Sequence, residues 1–354
     1  MTPPASLAAL DAEFTALGAG PAHRERVLRA WLLGQALDHG PRKQAAENCL
    51  PQALRAALPA LRAALDALAS VISEHPGGDG KRLLVRLADG QTVESVLLPR
   101  DGVCISTQIG CAVGCTFCMT GCSGLLRQVS APEMLAQVVL ARRQQKLRRV
   151  VFMGMGEPAH NLDNVLAAIG WLGTLGGFGH KDLVFSSVGD PRIFERLPRE
   201  KVRPALALSL HTTNADLRER LLPRAPRLTP AALVEAGEDY ARRTGYPIQL
   251  QWTLLAGIND SLAEMDAAAD LLAGKYAILN LIPYNPTAAL DYQRPSPETV
   301  AQLVRHLRQR GIRVAVRQSA GQDVEGGCGQ LRARQLDGTS RPEKRENQPL
   351  RRSN

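Results

Sequence analysis

No apolar run in the 354-residue sequence reaches the roughly 18 residues that a membrane span requires. The opening stretch, MTPPASLAALDAEF, lacks the basic segment and long apolar block of a secretion leader, so a cytoplasmic protein without membrane attachment is expected. A disulfide framework is missing too. Seven cysteines are an odd number, and five of them, Cys104, Cys111, Cys115, Cys118 and Cys122, are crowded together while Cys49 and Cys328 stand apart. In a reducing compartment such crowding signals metal binding or redox chemistry. No repeat of solenoid length is present. The length and the 45% hydrophobic content suit one large globular domain or two smaller ones.

Positive charge is what the chain has in excess, with 43 Lys and Arg against 34 Asp and Glu, a net charge of +9. That balance favours a polyanionic partner, which charge alone does not identify. Part of it belongs to the C-terminal segment, where Arg332, Arg334, Arg341, Lys344, Arg345, Arg351 and Arg352 outnumber Asp337, Glu343 and Glu346. The composition there reads as a disordered tail. A second group, Arg142, Arg143, Lys146, Arg148 and Arg149, fits a solvated helix face and an RNA-facing patch equally well.

Patterning divides the chain. From about residue 5 to 75, HRERVLRAWLLGQAL and LPQALRAALPALRAALDALASVI carry apolar residues at helical spacing. GGDGKRLLVRLADGQTVESVLLP then alternates around an Asp-Gly turn, the pattern of a β-hairpin. Beyond residue 101, the short runs VCISTQ, VVFMGM, LVFSSV, ALALSLH, PIQLQWTLL, AILNLIP and RVAVRQ alternate with helical stretches. One of these helices has Ser130 as its expected N-cap and Glu133 three residues on. Repeated βα units build a parallel sheet, doubly wound or curled into a partial barrel. With about six strands the partial barrel is expected, with its chemistry at the C-terminal strand ends. The expected division is a helical accessory domain at 1–78, a hairpin linker at 79–100, an α/β barrel at 101–333 and a basic tail at 334–354.

The strongest chemical signal is Cys111-Ala-Val-Gly-Cys115-Thr-Phe-Cys118. Soft thiolates suit iron–sulfur clusters or zinc, but structural zinc takes four ligands, usually as paired CxxC elements. Iron–sulfur clusters also normally take four cysteines, so three leave one iron open for a substrate or cofactor. Cys122 could instead close the site. Downstream, Gly154-Met155-Gly156 lacks the third glycine of a dinucleotide fingerprint, and Glu157 would repel phosphate. Ser186, Ser209, Leu210, His211 and Asn285 fall near expected strand ends. Taken singly, each reads as a structural hydrogen-bonding or packing residue.

The CxxxCxxC loop after the first barrel-type strand resembles the radical S-adenosylmethionine (SAM) superfamily. VCISTQIGCAVGCTFCMTG, VVFMGMGEPAHNLDNV, FSSVG, LALSLH, NLIPYNP and GGCGQLRA stand in the order seen in the RlmN/Cfr family of RNA adenine methyltransferases, a similarity running from about Glu94 to Ala333. The N-terminal helices and hairpin are similar to that family's RNA-binding accessory region. The resemblance implies a partial (βα)6-type radical SAM barrel and a [4Fe–4S] cluster on Cys111, Cys115 and Cys118. It also implies SAM, two molecules per turnover, held by Gly156, Glu157, Ser186, Ser209, Leu210, His211 and Asn285, with His211 not a metal ligand.

Further implications concern the chemistry. Cys328, set among Gly326, Gly327 and Gly329, matches the methyl-carrying cysteine of the family. Cys104 matches its resolving partner and Glu94 the proton acceptor. The methyl goes to carbon 2 or carbon 8 of an adenine in ribosomal RNA, transfer RNA or both, and a Cys104–Cys328 disulfide forms as the product leaves. An electron donor and a disulfide reductant are then needed, and a monomer is expected. The segment GCSGLLRQVSAPEM around Cys122, and Asp190-Pro191 after FSSVG, depart from the commoner family wording and leave the target open. The competing readings are another radical SAM enzyme sharing the barrel, acting on a different RNA, and a non-catalytic, metal-stabilised RNA-binding protein.

Overall fold

The computed structural model describes residues 1–39, 49–77, 80–122, 124–287, 289–317 and 332. Cys328 and the basic tail lie outside these residues. Three helices come first: α1 (Leu7–Ala16), α2 (Pro21–Leu32) and α3 (Gln52–Asp66). They are followed by β1 (Ala69–Gly77), β2 (Gly80–Leu87) and β3 (Thr92–Leu98), an antiparallel set turning at Asp89-Gly90 between β2 and β3. β1 corrects the expectation of helix up to residue 75. Val71 and Ile72 are β-branched, and from Ala69 on the strand alternates between more and less buried positions as it pairs with β2.

The parallel part begins with β4 (Gly102–Cys104). After it come a small hairpin of β5 (Gln108–Gly110) and β6 (Leu125–Gln128), with the short helix α4 (Met119–Cys122) between them, and then α5 (Ala131–Gln144). Next are β7 (Arg149–Phe152), α6 (Leu162–Thr174), β8 (Leu183–Ser187), α7 (Pro191–Arg196), β9 (Ala205–Ser209), α8 (Ala215–Leu221) and α9 (Pro230–Thr244). The last elements are β10 (Ile248–Leu254), α10 (Leu262–Leu272), β11 (Ala277–Pro283), α11 (Pro297–Gln309) and β12 (Val314–Val316). One sheet runs β1-β2-β3-β4-β7-β8-β9-β10-β11-β12, parallel from β4 onward and, among the described residues, open at both edges. This is the partial α/β barrel, and every run expected as a barrel strand forms one.

The outer face of the barrel strands is apolar. Val150, Phe152, Leu183, Phe185, Leu206, Leu208, Leu250, Trp252, Leu279 and Leu281 pack under the helices in one core. That core also takes in Phe14, Trp31, Leu54 and Leu65 of the N-terminal helices, so they dock on the barrel rather than standing apart. Two arginines of the basic group at 142–149 reinforce the docking. The Arg142 guanidinium donates to the carbonyls of Leu32 and Gly176 and lies 4.6 Å from the Phe178 ring centre, while Arg143 pairs with Asp66 at 2.6 Å. These two side chains are struts between elements. At the start of α5, Ser130 and Glu133 form the expected capping box. Among the described residues no helix is long and apolar enough to cross a membrane.

Candidate active site

The cysteine loop is a closed ring. β5 and β6 pair at its base, and the Cys111 N–H donates to the Gly124 carbonyl at 3.0 Å. Gly110 makes that crossing possible: its φ is 81°, and a Cβ there would lie 1.8 Å from the Gly124 oxygen. Within the ring the Cys118 N–H donates to the Cys115 carbonyl, and the N–H groups of Val113 and Gly114 donate to the Cys111 sulfur. The loop then lies down on the barrel mouth. Cys111 and Val113 share an apolar cluster with Val188, Leu221, Leu255 and Tyr284, and Val188, Leu255 and Tyr284 each come one residue after a strand end. The Thr116 N–H donates to the Leu221 carbonyl, and Tyr292 donates its hydroxyl to the Thr116 hydroxyl at 2.7 Å.

Burial pushes the Cys111 thiol up to about 12, and the negative charges of Cys118 and Glu157 add to the shift against the two N–H donors. Cys115 is raised well above the ordinary thiol range, first by burial and then by Cys118 and Cys111. Three thiols within reach of one another's charge are poorly placed as free acids but well placed as ligands, because a bound metal displaces the proton. Among the described residues no three His, Cys, Asp or Glu side chains gather tightly enough for a single metal ion. A cluster several atoms across holds its ligands farther apart than one ion does, and these soft donors and loop N–H groups fit such a cluster. Cys122 is exposed at the end of α4, where its sulfur donates to the Cys118 carbonyl.

The GMGEP turn is pressed against the connection between β4 and β5. At Gly156, φ is 104° and a Cβ would meet the Gln108 Cβ at 2.5 Å, so a glycine is required. The turn aims Glu157 inward. Its N–H donates to Gln108 Oε1, and its carboxylate accepts from the N–H groups of Ala159 (3.1 Å) and Val188 (3.0 Å) and from the Ser187 hydroxyl. A carboxylate has about four lone-pair positions, so room remains for an ammonium. Burial nevertheless raises Glu157 to about 7.

The inner face of the barrel contrasts with the apolar outer one. Strand alternation and register place Val184 and Ser186 of β8, Ala205, Ala207 and Ser209 of β9, Gln251 of β10 and Asn280 of β11 on this face. It is therefore small and polar toward the mouth. Leu210 is fully buried, and its N–H and that of His211 both donate to the Gln251 carbonyl. His211 has the left-handed φ of 62°, and its Nδ1 accepts from the Thr253 N–H, which leaves the proton on Nε2. Burial first, and then the positive charge of Arg218, lower it to about 3, so the ring is neutral. Its edge meets Phe117 of the cysteine loop with ring centres 5.0 Å apart. Asn285 is half-buried just past β11.

Known proteins are similar to this chain. Residues 105–272 match the radical SAM superfamily. A probable RNA methyltransferase of Dechloromonas aromatica is 68% identical over 323 residues, 91% of this chain and 90% of that protein. A similarly named protein of Pseudomonas aeruginosa is 64% identical over 92% of this chain and 94% of its own length. This chain belongs to the radical SAM RNA methyltransferases. A solved radical SAM methyltransferase from Sphaerobacter thermophilus, 36% identical, superposes with a TM-score of 0.79 over 93% of this chain and 99% of that one.

In this radical SAM methyltransferase the remaining expected site residues have distinct places. Cys104 ends β4, buried beside Val96 and Met153. It pairs in register with Val96 of β3 and Val151 of β7, so Cys104 and Glu94, two residues before Val96, share one face of the sheet. Glu94 is buried and paired with Arg82 at 3.0 Å, and its other oxygen accepts from the Arg332 N–H at 3.1 Å. Cys328 lies outside the described residues. Three residues at the mouth escaped the sequence reading: Gln251, Asn280 and Arg218. A polar residue inside an apolar strand run, as in QLQW and ILNL, was the available signal for the first two.

The raised Glu157 has a testable sign. Between about pH 4.5 and 7 the folded state holds a proton that the unfolded state has released, so stability falls as pH rises through that window. The full effect is about 3 kcal/mol at most. Urea midpoints of the cluster-free wild type should therefore drop from pH 5 to pH 7.5 relative to Glu157→Gln. A constant difference between the two would show that Glu157 is not raised.

Proposed function

We propose that this methyltransferase places a methyl group on a ring carbon of adenine, carbon 2 or carbon 8, in ribosomal or transfer RNA. The observation that carries the reading is the joint placement of the cysteine loop, Glu157, the inner-face serines and His211 at one barrel mouth, with Glu94 and Cys104 on the adjoining sheet face. Cys111, Cys115 and Cys118 hold a [4Fe–4S] cluster, and Gly156, Glu157, Ser186, Ser209, Leu210, His211 and Asn285 bound the space for SAM. When bound there, the cluster and SAM supply a deoxyadenosyl radical, the hard part of the chemistry.

The chain's own residues do the rest. The Cys328 thiolate takes a methyl group from one SAM by displacement at carbon, releasing S-adenosylhomocysteine; a second SAM serves as the radical source. A hydrogen atom of the Cys328 methyl group would pass to the deoxyadenosyl radical as its carbon bonds to the ring; Glu94 would then accept the ring proton as the adduct returns one electron to the oxidised cluster. The Cys104 thiolate then attacks the Cys328 sulfur, which frees the methylated RNA and leaves a disulfide for an external reductant. An electron donor also has to serve the cluster. Neutral His211 and the apolar cluster under the loop help exclude water. Exposed Arg224 donates to the Ala112 carbonyl of the cysteine loop, and Arg220 and Arg227, close to it in the chain, are exposed too. They offer phosphate contacts to an RNA whose adenine is flipped or looped out, and the N-terminal helices and hairpin are a further candidate RNA-binding region.

Mass spectrometry of ribosomal and transfer RNA from cells with and without the gene tests this reading. One methyladenine should disappear with the gene and return with the wild-type copy but not with Cys328→Ala. Identical RNA from both cells, or full rescue by Cys328→Ala, would overturn it.

A further inference from the structure

Arg218 has no place in the mechanism so far, yet it is among the most buried charged residues. It sits in α8 with only 4% of its surface exposed. Its Nη2 donates to the carbonyls of Val188 (2.7 Å) and Ser209 (3.0 Å), bridging the ends of β8 and β9. Val188 is also the residue whose N–H holds Glu157. The guanidinium Nε is buried without a hydrogen-bond partner, and among the described residues no Asp or Glu forms an ion pair with Arg218. Burying an unpaired cation costs several kcal/mol in real proteins. Two carbonyls offset part of that cost and leave the charge itself uncompensated.

The cysteine loop packs on the same helix: Cys111, Val113, Cys115 and Phe117 share an apolar cluster with Leu217, Leu221 and Leu222, and the Thr116 N–H donates to the Leu221 carbonyl. Phe117 also meets the ring of His211, two residues past Ser209, whose carbonyl Arg218 holds. A negative charge formed on Cys115 is accordingly one that acts on Arg218. We propose that Arg218 is the built-in counter-charge of the iron–sulfur cluster, a positioning residue that raises the cluster's reduction potential and locks Val188 and Ser209 at the cofactor-facing strand ends. This rests on the reading that Cys111, Cys115 and Cys118 hold the cluster. Thiolate ligation leaves such a cluster net negative, and its potential responds to nearby charge and burial. A fixed cation behind the ligands favours the reduced form, the form that must deliver the electron.

Three full-length variants separate charge from hydrogen bonding. Arg218→Gln keeps donors for the two carbonyls and removes the charge, Arg218→Met removes both, and Arg218→Lys keeps the charge. After anaerobic reconstitution, iron and sulfide are counted and the midpoint potential is read by EPR-monitored titration. The Gln and Met variants should titrate at a more negative potential than wild type, with Lys close to wild type. If Gln and Met load no cluster while Lys loads fully, the charge is needed for assembly and the inference stands. Loaded Gln and Met variants at the wild-type potential would overturn it, as would a Lys variant that fails to load along with them. Wild-type protein that binds no iron would instead sink the cluster reading on which the inference depends.

Discussion

Cys115→Ala protein should carry almost no iron after anaerobic reconstitution, against about four per chain in wild type, and should methylate no RNA above background. Two thiolates cannot replace the three that share this loop, and Cys115 is raised first by burial and then by the charges of Cys118 and Cys111. The fold should survive. The loop is closed by the β5–β6 pairing, by the Cys111–Gly124 backbone bond and by Thr116 on Leu221, none of which uses the Cys115 sulfur. Far-UV circular dichroism should therefore match wild type while the iron–sulfur absorbance disappears. Cys122→Ala is the matched control. Its sulfur is exposed and turned to the Cys118 carbonyl, so iron content and methylation should stay within about twofold of wild type. Iron lost equally from both variants would make Cys122 a ligand and close the cluster to SAM.

The parallel strands were legible because each is a short run rich in Val, Leu and Ile, bounded by turns and separated by a helical pattern. The cysteine loop was legible because its chemistry is local: three ligands within eight residues need no tertiary information. β1 was not legible. Its first residues, Ala69 to Ile72, continue the Ala- and Leu-rich stretch of α3 with no glycine or proline to mark the change, and only pairing with β2 decides its conformation. Arg142 and Arg143 look like surface charge because a helix face does not announce what docks on it. Arg218 hid in the same way inside LRERLL. Its helical phase did carry a signal, since Leu221 and Leu222, three and four positions on, are fully buried and imply a buried Arg218 face. How Glu94 and Cys104 come to share a sheet face depends on the antiparallel register of β3 against β4, which spacing along the chain does not encode.

Glu94 should show two separable effects. Replacing it by alanine leaves the guanidinium of Arg82, itself 2% exposed, buried without its carboxylate, and frees the Arg332 N–H from its acceptor. Breaking a buried pair in this way costs about 3–5 kcal/mol, so the alanine variant should lose soluble yield and shift its denaturant midpoint sharply. Glu94→Gln keeps a carbonyl acceptor, so its stability loss should be smaller. The proton acceptance proposed for it would be gone, however, and methylation should fall by about 10²–10⁴-fold, the usual range for a lost general base. RNA joined covalently to the protein should accumulate in that variant, visible as a band retarded on a denaturing gel. The pair of roles can be split further. Arg82→Met combined with Glu94→Leu replaces the ion pair by apolar side chains and should recover much of the stability lost in Glu94→Ala. Methylation should remain as low as in Glu94→Gln. A stable double variant with wild-type methylation would leave Glu94 as an anchor for the hairpin and for Arg332, and would move the proton acceptor elsewhere.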